Sequence, residues 1–462
     1  MPTPLTTPLT SASWPILLII GLLSTLASYV IVSPRQIFSS HSPKQTRDQY
    51  PIFGALRYFS SRWDFYRDAI AESKTGSFSF YIGKYGAVGL SGSRARKDYF
   101  ESKDLSFRAG TSLTSRVPKP PRLIQGGKSV QRSDLFHDYF NRRINRMLSR
   151  DNFGKYLPAM IQDIQSRLFS FGPSGTTDPF ISINRLVFQI TVRNLGCNDI
   201  ANNPVLLDKT CSIYETMERS YNPYIIIFPW IVKLFTPSFA KQSIAGTRLF
   251  YILKGIIEER KRTGRRESDT MQYLMDQGDG TGKIIGFIIS ALFAGVVNSG
   301  INAAWLLCYL ATSPHWTSQI HTEVLNAVTK YSPDSEASLS DRLAALPLQA
   351  WEKDFSMLEL CLKESMRVQG QGVFQRRNIS GEDVSVGGEV VPNGAFALYH
   401  IADTHRDEMI YKDPEIWDPA RYLPDRNEGP NKFDYLGWGT GRHPCPGMRF
   451  AKLEIKLIVA SS

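Results

Sequence analysis

Paired cysteines are missing from this chain. Its 462 residues include five Cys, at 197, 211, 308, 361 and 445, spaced widely and without a C-x-x-C. Neither a disulfide framework nor a zinc knuckle can be built from that set. A reducing compartment is the natural setting, and each cysteine has to be judged by its neighbours. Low-complexity tracts and internal repeats are lacking as well. Apolar residues make up 42%, aromatics 12% and charged residues 21%, a balance that excludes a disordered tail, a collagen-like fibre or a coiled coil and fits a large buried core.

Charge is absent from the first 34 residues, and the first charged side chain is Arg35. Within that stretch Trp14 to Val32 forms a 19-residue, mostly apolar run, long enough to cross a bilayer as a helix. A secretory signal peptide needs a basic leading region and a small-x-small cleavage site, and neither is present. Arg35, Lys44 and Arg47 follow directly, so the positive-inside rule puts the body in the cytosol. The expected organisation is an anchor over 1–35, a polar linker over 36–50 and a folded body over 51–462. An endoplasmic reticulum membrane crossed once is the expected location.

The formal net charge of +11 is unevenly spread: residues 94–150 hold 14 Lys/Arg against 5 Asp/Glu. Nothing there resembles a nucleic-acid-reading motif, so no nucleic-acid partner is expected. A basic face toward a membrane or a protein partner is. A second basic run, Arg260 to Arg266, reads as an exposed loop after an apolar helix.

Along the chain, Ser77–Ile82 and Ala87–Leu90 alternate between glycines and predict a small antiparallel sheet. Helical patterns dominate from about Asp134 to Tyr411, and short β-like segments return at Gly381–Phe396. Ile284 to Ala311 runs 28 residues without a charge, yet carries Ser290, Asn298, Ser299 and Asn302 in its middle. That pattern predicts a central buried helix with a polar notch rather than a second span. Tyr224 to Phe235 is either core or an apolar surface that dips into the bilayer. The fold class these patterns predict is mainly α with a small β region.

The most specific segment is Trp438-Gly439-Thr440-Gly441-Arg442-His443-Pro444-Cys445-Pro446-Gly447. Glycines around one cysteine allow a tight turn and close approach to a flat ligand. Phe450, Leu453, Leu457 and Ile458 then follow at helical spacing. Cys445 is therefore expected at a helix N-terminus, where the dipole favours thiolate, a soft axial ligand for a metal.

These residues resemble the cysteine loop of the cytochrome P-450 superfamily, aromatic-Gly-x-Gly-x-His/Arg-x-Cys-x-Gly. The resemblance implies a haem-thiolate fold, with Cys445 as axial ligand of haem b and His443 as donor to a propionate. Glu364 and Arg367, an E-x-x-R on a helical pattern 81 residues before Cys445, match the family's K-helix. Arg421, in Trp417-Asp418-Pro419-Ala420-Arg421-Tyr422, matches the third member of that ion cluster. Arg376 or Arg377 matches the usual second propionate donor. Tyr139 and Arg143 keep the spacing of a further propionate contact whose aromatic is Trp in the family.

Ala294 to Ser299 resembles the family's dioxygen segment, with Val297 and Asn298 in place of the acid and the first Thr. Asn298 and Ser299 are then the catalytic candidates, with protons reaching them through water or a substrate hydroxyl. The resemblance to fungal secondary-metabolism members implies a monooxygenase for a terpenoid or steroid-like compound. Electrons would come from NADPH through a reductase docked on the basic face. A haem-thiolate isomerase or dehydratase is the alternative. Only 17 residues follow Cys445, short of the family's usual C-terminal hairpin, so a truncated, non-catalytic haem-binding product is the third expectation.

Overall fold

A stretch of 20 residues, Ser13–Val32, with no charge to solvate and no proline after Pro15, forms the first helix, α1. Trp14, Leu18 and Ile20 on it are more than half exposed. The computed structural model describes residues 13–32, 38–111, 113, 129–172, 175–333 and 336–462. Arg35, part of the anchor's basic flank, and the basic residues Arg116, Lys119, Arg122 and Lys128 lie outside the described residues. The chain divides into two compact units.

One unit comprises residues 1–113, 226–228 and 374–400 and holds the β structure. Strands β1 (Phe78–Ile82), β2 (Tyr85–Leu90), β3 (Leu105–Ser106), β4 (Val373–Asn378) and β7 (Phe396–His400) form one sheet in the order β1-β2-β7-β4-β3. β5 (Val384–Val386) and β6 (Glu389–Val391) make a separate antiparallel pair. The predicted hairpin is present, with Phe78 opposite Gly89 and Ile82 opposite Tyr85. β2 then runs parallel to β7, more than 300 residues on, with Ala87 opposite Phe396. Side chains of Tyr58, Phe65, Tyr66, Phe78 and Phe80 fill the space behind the sheet as edge-on and stacked pairs.

The larger unit is helical. Its centre is the helix that the charge-free run predicts; numbering the helices that matter here in chain order, α2 is Ser129–Met147, α3 Pro179–Leu195, α4 Thr281–Ala311, α5 Ser356–Gln369 and α6 Met448–Ser461. α4 is apolar and long enough to cross a membrane, but half of its most apolar window is buried inside the protein. It packs most closely on α3, where Gly295 and Gly300 face Thr191 and Asn184. A Cβ on Gly300 would meet Asn184 Oδ1 at 2.5 Å, so glycine sets how near the two helices come. The helix is unbroken through Ala294–Ser299.

One expectation from the sequence is corrected. Arg260 is not in an exposed loop: the helix Pro237–Thr263 carries through it, and the side chain is buried between Asp199 and Asp269. Arg260 Nη1 donates to Asp269 Oδ1 at 2.9 Å and Nε to Asp199 Oδ2 at 3.0 Å. A buried guanidinium persists when both flanking acids satisfy it, and those partners lie too far along the chain for a charge run to reveal. Arg262 does remain exposed beside Glu259. In the Tyr224–Phe235 segment Leu234 and Phe235 are exposed while Ile227 and Val232 are buried, so the segment is part surface and part core.

Candidate haem-thiolate site

Two glycines shape the cysteine loop. Gly439 and Gly441 both take a positive φ, at 66° and 67°, a region L side chains rarely enter. A Cβ on Gly439 would lie 2.8 Å from the His443 carbonyl oxygen. The turn they allow is closed by the Cys445 N–H, which donates to Trp438 O at 2.7 Å. Beyond it, Gly447 is the N-cap of α6. The N–H groups of Gly447 and Met448 point to the Cys445 sulfur and pull its pKa down, as the helix-terminus argument requires.

Burial outweighs them. Cys445 is exposed as a residue, but its sulfur is hemmed in enough that desolvation raises the thiol above its ordinary value. The chain by itself therefore favours the thiol, and the two amides stand ready for a sulfur that has lost its proton to a metal. The donor set suits a haem: one soft sulfur, two backbone donors to hold its charge, and a side-chain-free cradle at Gly439 and Gly441. His443, two residues before the sulfur, is exposed.

The loop is fixed to a rigid base. On α5, Glu364 and Arg367 are fully buried, with Arg367 Nη2 donating to Glu364 Oε1 at 2.7 Å and Nε to Oε2 at 2.8 Å. Arg421 Nε reaches the same Oε1 at 2.9 Å, and the Tyr422 hydroxyl donates to Oε2 at 3.1 Å. Arg367 Nη1 also donates to the main-chain oxygens of His405 and Pro414 at 2.6 and 2.7 Å, while Arg421 Nη1 donates to Lys412 O at 3.0 Å and pairs with the Glu428 carboxylate. One carboxylate thus ties α5 to the loop segment 405–422 that leads toward the cysteine loop.

The central helix presents a narrow open stripe. Ala294, Asn298 and Ile301 are exposed, at i, i+4 and i+7, while Val296, Ser299, Gly300 and Ala303 are buried. Asn298 Nδ2 donates weakly to Ala294 O at 3.3 Å, and Asn302 Nδ2 donates to Asn298 O at 2.8 Å. The Asn298 amide therefore lies on the open face. Ser299 turns to the packed side, against α6.

The arginine candidates divide. Arg143 on α2 forms a two-pronged ion pair with Asp279, at 3.0 Å from both Nε and Nη2, and the Tyr139 hydroxyl joins the same carboxylate at 3.0 Å. In the β unit Arg376 is buried and donates to the Tyr99 and Phe100 carbonyls. Arg377 is half-buried and uses Nε on Gly394 O at 2.8 Å.

One residue was not anticipated from the sequence. Glu454 on α6 is wholly buried, and burial pushes its carboxyl up to about 8. A charged residue one turn after Phe450 and one turn before Ile458, on the face those residues define, was the available signal.

Comparison with known proteins shows the family. The family profile "Cytochrome P450" matches residues 50–462. Cytochrome P450 monooxygenase nsrP of Aspergillus novofumigatus is 34% identical over 95% of this chain and 85% of its own length. Cytochrome P450 monooxygenase AacuE of Aspergillus aculeatus is 32% identical over 96% and 90%. Among solved structures, retinoic-acid-bound cyanobacterial CYP120A1 superposes with a TM-score of 0.65 over 91% of both chains at 22% identity, a likeness of fold. A cysteine in a glycine cradle, a buried Glu–Arg–Arg cluster behind it and relatives matched nearly end to end have one explanation: the chain belongs to the cytochrome P450 family and is a monooxygenase.

Proposed function

We propose that the chain binds haem b through Cys445 and oxidises a hydrophobic natural product, terpenoid or steroid-like in skeleton, with electrons passed from NADPH by a reductase partner. The observation that carries this reading is the sulfur of Cys445 under two backbone N–H donors in a turn where Gly439 leaves no room for a Cβ. When bound, haem supplies dioxygen activation and one-electron chemistry at its iron. The residues of the chain hold, orient and shield. Cys445 would hold the iron through its sulfur, and the amides of Gly447 and Met448 would spread the charge of that sulfur.

His443 is the propionate donor from the cysteine loop. Between the two adjacent arginines, Arg377 is better suited to a carboxylate, because Arg376 is committed to two main-chain carbonyls. Arg143 would have to share its guanidinium with Asp279. On α4 the open stripe offers Ala294 and Ile301 as apolar contacts and the Asn298 amide as a hydrogen-bonding group. A molecule that is mostly hydrocarbon, with at least one hydroxyl or carbonyl for Asn298, fits that lining. The apolar helix α1 and the basic residues after it support a single-pass anchor in the endoplasmic reticulum with a cytosolic body.

A reduced carbon-monoxide difference spectrum of membranes carrying the chain tests the assignment. The expected result is the long-wavelength Soret band of thiolate-ligated ferrous haem, absent from Cys445→Ala. A short-wavelength band in the unaltered chain would remove Cys445 from the axial position.

A further inference from the structure

α4 carries no Asp or Glu anywhere in its 31 residues, and its polar notch is an amide and a hydroxyl. On the haem-thiolate reading protons would be needed at that notch, so an acid would have to reach it from elsewhere. Behind Ser299 stands Glu454. The helix that carries it, α6, packs directly on α4, and neither carboxyl oxygen has a hydrogen-bond partner among the described residues. The Ser299 hydroxyl is the one polar group that acts on it, in a geometry short of a formed hydrogen bond. Ser299 is itself 4% exposed and directly follows Asn298, about 100° around the helix.

We propose that Glu454 is a positioning residue for proton delivery: acting through the Ser299 hydroxyl, it supplies the protons used at the Asn298 face of α4. The inference rests on the haem-thiolate reading above. In the step the Glu454 O–H bond breaks as its proton passes to the Ser299 oxygen, and Ser299 gives up its own hydroxyl proton toward the notch. Ser299 ends unchanged and Glu454 ends as a carboxylate. Water returns a proton to that carboxylate before the next cycle, and no electron moves.

Among the described residues, the acids nearest in the packing around α6 are already engaged. On the helices packed against α6, Glu352 pairs with Arg449, Glu359 with Lys452 and Lys456, and Glu364 with Arg367 and Arg421. Glu323 caps the N–H groups of Met357 and Leu358, and Asp163 pairs with Arg193. Desolvation and Ser299 are the influences on Glu454. Since desolvation keeps the carboxyl protonated up to about pH 8, it holds its proton under ordinary conditions, as a donor must.

The test uses the full chain with haem and a reductase, with dioxygen as the probe. Glu454→Gln keeps the shape of the neutral acid but has no acidic proton. With the carbon-monoxide band intact, it is expected to lower reductase-driven dioxygen reduction at least about tenfold. It should also abolish a fall in rate as pH rises through about 8. Ser299→Ala should match it, and Glu454→Asp should recover part of the rate. Infrared spectroscopy, which needs no turnover, should find a protonated carboxyl band near neutral pH that Glu454→Gln removes. An intact band in the difference spectrum with unchanged rate and pH profile in Glu454→Gln overturns this inference alone. An unaltered chain without the thiolate band overturns the haem reading and the inference with it.

Discussion

At the residue scale, Glu454 sets a cost on the fold that depends on pH. Its carboxyl titrates at about 8 in the folded chain, against an ordinary value of 4.5. Between those values the folded state holds a proton that the unfolded state has released, so stability falls as pH rises. The contribution is intact below about 4.5 and is lost progressively toward 8. At pH 7 the loss amounts to about 3 kcal/mol. Gln removes the titration while keeping the packing among Phe450, Leu453 and Ile458. Glu454→Gln should therefore melt with the unaltered chain near pH 4.5 and increasingly above it toward pH 8. A melting difference that does not change with pH would show that Glu454 ionises freely in the folded protein.

At the element scale, α5 and the 405–422 segment depend on one carboxylate. Glu364 accepts from Arg367, Arg421, the Tyr422 hydroxyl and the Asp418 N–H. Removing its charge leaves the buried Arg367 guanidinium without an acidic partner and Arg421 with Glu428 alone, a loss of about 3–5 kcal/mol. Glu364→Gln should thus lower the melting temperature and the yield of haem-loaded protein together; a normal yield would show that the cluster is dispensable. This element was legible in the sequence, because a three-residue spacing puts Glu364 and Arg367 on one helical face. The cysteine loop was legible too, because a positive φ can be read from Gly439 and Gly441. What the sequence hid were contacts made across distance. Arg260 finds Asp199 61 residues away, and Glu454 meets Ser299 from a helix 155 positions earlier. Arg376 and Arg377 are neighbours of one type, and only the fold shows that one reaches the Tyr99 and Phe100 carbonyls and the other that of Gly394.

At the scale of the whole molecule, charge and apolar residues are unevenly spread along the chain. The charge-free α1 lies at one end of the chain, while the net +11 is concentrated over 94–150. A basic face of that kind steers an acidic partner at long range, and the steering weakens as salt screens it. Within the described part of this region Arg142 is exposed, whereas Arg143 is tied to Asp279 and to Gln277. Reversing Arg143 would break an internal ion pair and confuse docking with stability; reversing Arg142 disturbs no such pair. Arg142→Glu should slow reductase-dependent reduction several-fold at low ionic strength while leaving the carbon-monoxide band and the melting temperature unchanged. The deficit should shrink as salt is raised, because a single charge matters only while its field extends beyond the Debye length, about 10 Å at 0.1 M. A rate equal to that of the unaltered chain at every ionic strength would place the docking surface elsewhere.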